Sequence, residues 1–110
     1  MKTISVPLSI DAMHRLDLDE CLPGDLEELL LSKEEFLDLS KTGAIEEINS
    51  TLSKLIDEYE DERIQGQTDL ESALQIFQKI FITTNSDTLR KIIHLNEMAI
   101  KYNTGMFFFF

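Results

Sequence analysis

Apolar residues recur at three- and four-residue steps through most of this chain and alternate at period two only at its start. In Ala44–Ile64, Ile45, Ile48, Leu52, Leu55, Ile56 and Tyr59 form one stripe, with Glu46, Glu47, Asn49, Ser50, Ser53, Asp57, Glu60 and Asp61 mostly off it. That spacing predicts a single long amphipathic helix. Thr68 with Glu71 reads as a capping box, and Leu70, Ala73, Leu74, Phe77, Ile80 and Phe81 continue as a helix over 68–83. From Asn85 or Ser86 to about 103, Leu89, Ile92, Ile93, Leu95, Met98, Ala99, Ile100 and Tyr102 cover more than one face. Such a helix is central, or keeps an uncovered side for a partner.

The first part of the chain is more broken. Thr3–Ile10 alternates polar and apolar and predicts a short strand, which Pro7 confines to an edge or a strand end. Asp11 is placed to cap a helix running to about Cys21, stopped by Pro23-Gly24. Asp25 is placed to cap Leu26–Leu31, and Ser32 with Glu35 forms a capping box for a helix to Ser40, with Gly43 as its stop. At the other end Asn103-Thr104-Gly105 is a helix stop, with Gly105 suited to a left-handed turn. Phe107–Phe110 then follow as four consecutive rings, which in a strand point two to each side. Burying one Phe is worth roughly 1.5–3 kcal/mol. The run therefore reads first as a terminal strand beside Thr3–Ile10, and second as a hydrophobic anchor for a partner or a second subunit. Together these elements predict one domain over residues 1–110, mainly α. The expected form is a small bundle of about five helices with room for a short N-/C-terminal strand pair, an α+β variant.

Charge changes the picture more than composition does. The apolar fraction is 43%, ordinary for a folded domain. The net charge is −11, and from Asp11 to Glu62 there are 17 Asp/Glu against 4 Lys/Arg. A deficit so concentrated repels polyanions and attracts cationic surfaces. Direct nucleic-acid binding, which needs clustered Lys/Arg, is not expected. A single cysteine, Cys21, and a start without a signal-peptide core point to the cytoplasm. No apolar run is long enough for a membrane helix.

The candidate chemistry is thin. His14 and His94 lack ligand-spaced neighbours, Cys21 stands in no Cys/His signature, and the glycines at 24, 43, 66 and 105 are isolated stops. Glu35 with Asp38, and Glu58 with Asp61, share the E-x-x-D spacing of metal sites in all-helical nucleotide pyrophosphohydrolases, but no companion motif or basic phosphate ligand accompanies them. A solvated acidic face is the simpler reading. No catalytic residue, cofactor or metal is expected, and the chain is not expected to be an enzyme. The strongest candidate is the run Asp57, Glu58, Tyr59, Glu60, Asp61 and Glu62, extended by Glu46 and Glu47, as a surface for a basic protein. On a helix those like charges would repel at three- and four-residue spacing.

In size, acidity and a mixture of helices with a little strand, the chain resembles the immunity proteins of bacterial toxin–immunity systems, including contact-dependent growth inhibition. The resemblance spans the whole chain and carries over no individual residue. It implies a specific inhibitor of a toxin domain, commonly a basic nuclease, inside the producing cell. Two alternatives remain at this level: a DNA-mimic inhibitor of a DNA-binding enzyme, and a small regulatory or scaffold subunit. A homodimer through the last helix and the Phe run also stays open.

Overall fold

The computed structural model describes residues 2–110. Its elements are β1 (Lys2–Pro7), α1 (Ile10–Asp17), β2 (Leu26–Leu31), α2 (Lys33–Thr42), α3 (Ala44–Leu52), β3 (Glu62–Gln65), α4 (Gln67–Thr84), α5 (Asp87–Tyr102) and β4 (Gly105–Phe109). The four strands make one antiparallel sheet in the order β2-β1-β4-β3. The architecture is therefore α+β, and it corrects the expected mainly-α bundle with strand only at the two ends.

Two segments account for the difference. Leu26–Leu31 was expected to be a helix capped by Asp25. Instead Arg15 holds the Asp25 carboxylate through two hydrogen bonds of 2.8 and 2.7 Å, and the Leu22 N–H donates to it at 2.8 Å. With its capping oxygens engaged, the chain turns and pairs with β1 from Leu26 opposite Pro7 to Leu31 opposite Lys2. Leu is a good helix former, but pairing and burial in a sheet override local preference. The second segment is Ala44–Ile64. The helix stops at Leu52, where Ser53 takes a left-handed backbone with φ 55°. Asn49 then clamps the returning chain, its side chain accepting from Ile56 N–H at 2.9 Å and donating to Ile56 O at 3.1 Å. Ile56 is buried, whereas Tyr59, on the same sequence stripe, lies in a loop and is 90% exposed.

The remaining helices keep close to their expected places. The Ser32–Glu35 capping box is present in full at the start of α2, and Gly43 ends that helix with a left-handed φ of 79°. Helix α1 is capped by Ser9, not by Asp11, and ends at Asp17. The Thr68–Glu71 box does not form, because α4 begins at Gln67 behind Gly66 and Thr68 lies inside its first turn. Ser86 caps α5 by accepting from Leu89 N–H, and its own hydroxyl donates to Asp38 at 2.7 Å.

Antiparallel register sorts the strand residues onto two faces. Leu29, Ile4 and Phe108 stand in one row across β2, β1 and β4, and Met106 stands beside Ile64. These residues pack with Leu39, Ile48, Leu70, Phe77, Leu89 and Ile92 from the helices to form the core. On the other face Glu28, Ser5, Phe107 and Arg63 form a row spanning all four strands. Arg63 lies over the Phe107 ring at 4.5 Å and is tied to Asp17 at the end of α1 by a 2.8 Å ion pair. The next row, Leu30, Thr3 and Phe109, is only partly covered, and Leu30 is 55% exposed.

The Phe run is thus a central strand of the sheet. Phe108 meets Phe110 edge-on, and Phe110 meets Phe36 in the same way. The turn before the strand differs from expectation, because Asn103, not Gly105, takes the left-handed conformation, with φ 56°. Gly105 is required for another reason. A Cβ there would stand 2.8 Å from the carbonyl oxygen of Ile64 on the neighbouring strand. Thr104 fixes the approach by donating its hydroxyl to Pro7 O at 2.7 Å.

Candidate functional site

The acidic run lies mostly in the loop between α3 and β3, not on a helix. Asp57 accepts from the N–H groups of Tyr59 (2.8 Å) and Glu60 (3.1 Å), an Asx turn that holds Tyr59 at the loop's outer bend. Glu58 approaches Lys2 at 3.9 Å, a loose pair across solvent. Glu60 and Asp61 are exposed and form no ion pair among the described residues. Glu62 opens β3 and works locally, accepting from Leu55 N–H at 3.0 Å and Arg63 N–H at 2.9 Å. Desolvation opposes its ionisation, but those N–H groups, with the charges of Lys54 and Arg63, hold its carboxyl below the usual glutamate range.

The sequence-predicted residues are only partly gathered. Asp57, Glu58, Tyr59, Glu60, Asp61 and Glu62 follow one another along the loop into the first residue of β3, with Glu58–Asp61 exposed and Asp57 and Glu62 half-buried. Glu46 and Glu47 sit in the first turn of α3, at the other end of that helix. Carboxylates there are favoured by the helix dipole. Glu47 lines a separate groove with Thr42, Thr51, Ser72, Gln75 and Lys79. Two residues that the run does not suggest belong beside the loop. Asp17 and Arg63 border a cleft of about 250 Å³ with Asp61, Glu62, Phe107 and Phe109. Asp17 is 46 residues from Arg63 in sequence, so only the packing of α1 across the sheet reveals it.

The candidate chemical residues are placed as follows. Among the described residues, no group of three or more His, Cys, Asp or Glu side chains is arranged to hold a metal ion. Glu35 is committed to the α2 capping box and to Lys91, and Asp38 accepts from Ser86. His14 and His94 are exposed on different helices. Cys21 is exposed, and partial desolvation together with the carboxylates of Asp25 and Asp19 pushes its thiol up, away from the reactive thiolate form. No described helix is long and apolar enough to cross a membrane.

What this loop offers is an aromatic ring rimmed by carboxylates on a turn that its own backbone bonds fix. Compared with known protein families, characterised proteins and solved structures, the chain matches none.

Proposed function

We propose that this chain is a non-catalytic binding protein that engages a cationic protein through the Asp57–Glu62 loop, in the manner of an immunity protein that neutralises a basic toxin domain in the cytoplasm. The observation that carries the reading is Tyr59, 90% exposed at a fixed turn between Glu58 and Glu60, two carboxylates that the fold uses little. A solvated loop of this kind has no packing need for an aromatic ring. At an interface, tyrosine is among the residues that contribute most, and surrounding charges exclude water and steer encounter. A nuclease domain suits such a surface because its active site is cationic where it holds phosphate.

The test is capture of the partner from the source cell, identification by mass spectrometry, and kinetics with variants of the loop. Tyr59→Ala should cost at least about 2 kcal/mol of affinity, mostly in dissociation rate. Glu60→Lys with Asp61→Lys should slow association and flatten its salt dependence. Recovery of no basic partner, or binding indifferent to all three substitutions, would remove the reading.

A further inference from the structure

Strand β2 is an outer strand, paired only with β1. Its register with β1 is unbroken over all six residues, so no bulge twists this edge away. Among the described residues, no backbone group outside the sheet bonds to Leu26–Leu31. Of the usual protections of an edge, proline, lysine and a very short strand are missing from Leu-Glu-Glu-Leu-Leu-Leu; what guards it is the charge of Glu27 and Glu28, which repels an acidic strand and not a basic one. The opposite edge, β3, has four residues and carries Arg63. Beside β2 runs α5, and between them lies a groove of about 510 Å³ whose lining includes Glu27, Leu29, Arg90, Ile93, His94 and Glu97.

We propose that this edge and groove receive an extended, cationic segment of another protein, which adds to the sheet as a fifth strand. Backbone bonding along an open edge supplies affinity in such additions, and side chains on either face supply selectivity. The charges choose the occupant. Arg90 is held by Asp87, and Lys91 by Glu35 at 3.1 Å and by Asp87 at 3.7 Å. Glu27 and Glu28 are exposed at consecutive positions, one on each face of the strand, and Glu97 is exposed on α5. None of these three carboxylates has an ion-pair partner among the described residues. A second copy of the chain is disfavoured, since each carries a net charge of −11 and brings the same glutamates to the same edge. The fitting strand has Lys or Arg at two consecutive positions, facing Glu27 and Glu28, and an apolar residue beside the exposed Leu30. This site does not rest on the acidic loop, because β2 and β3 are opposite edges of the sheet.

Three capped peptides test it against the isotope-labelled protein by NMR titration and amide exchange. The first alternates valine and threonine around a central lysine–arginine pair. The second replaces that pair by glutamates. The third is the basic peptide N-methylated on every second residue along its bonding edge. The basic peptide is expected to shift Leu26–Leu31 and the facing turns of α5 and to slow exchange of β2 amides. The other two are expected to bind at least about tenfold more weakly, and Glu27→Lys with Glu28→Lys to reverse the order of the first two. Equal binding by the N-methylated peptide, shifts centred on Asp57–Glu62, or no binding of the basic peptide would overturn the proposal, and none of these needs the variant to fold.

Discussion

Asp25 is the residue whose environment departs most from what its neighbours in sequence imply. Its carboxylate is buried against Arg15, which donates twice, and Leu22 N–H adds a third bond. The Arg15 guanidinium, then the Leu22 amide, lower its carboxyl from 3.8 to about 2. A folded value below the unfolded one means the stabilisation is fully present above the unfolded value. It is lost as pH falls from 3.8 through about 2. Asp25→Asn should therefore lower the urea midpoint at neutral pH and make its decline between pH 4 and pH 2 shallower. An unchanged slope would mean that the pair contributes nothing. The phenylalanines allow a second check at the same scale. Phe108 is 1% exposed in the core row, while Phe109 lies half-buried on the partly covered face. Phe108→Ala should cost about 3–5 kcal/mol, a large share of the roughly 5–15 kcal/mol typical of a domain. Phe109→Ala should cost clearly less in the same denaturation series.

At the scale of elements, the helices with local signals were legible and the strands made by distant partners were not. The Ser32–Glu35 box, the Gly43 stop and the periodicity of α4 and α5 each lie within a few residues, and the fold keeps them. Strand β2 is different. Leu-Glu-Glu-Leu-Leu-Leu has no β-branched residue, and its strand state comes from β1 and from the Arg15–Asp25 clamp. Strand β3 is concealed by a stripe that continues across a break: Ile56 and Ile64 are buried, but from a loop and a strand, while Leu55 just before them and Tyr59 between them face solvent. The repulsion among Asp57–Glu62 was a usable warning against a helix there, since these charges lie at distances that a helix would bring together. The candidate surface was legible as a run of residues. Its shape was not, because the Asx turn, Asp17 and Arg63 depend on how the loop and α1 meet the sheet.

For the molecule as a whole, the two strands furthest apart in sequence form the centre of the sheet. Thr3 stands opposite Phe109 and Ser5 opposite Phe107, so Phe110 and Lys2 follow one another at the same end. The central joint is thus a closure of about 100 residues, and such closures cost entropy before any contact rewards them. Replacing it by a linker of about five residues removes roughly 2–3 kcal/mol of that closure term. A circular permutant that joins Phe110 to Lys2 through such a linker, with new ends between Glu60 and Asp61, would turn this long-range joint into a hairpin. Stopped-flow refolding of the permutant should be faster than that of the original order, with its far-ultraviolet circular dichroism retained. Equal refolding rates would instead place the β1–β4 pairing after the rate-limiting barrier, with the sheet's centre the last part to form.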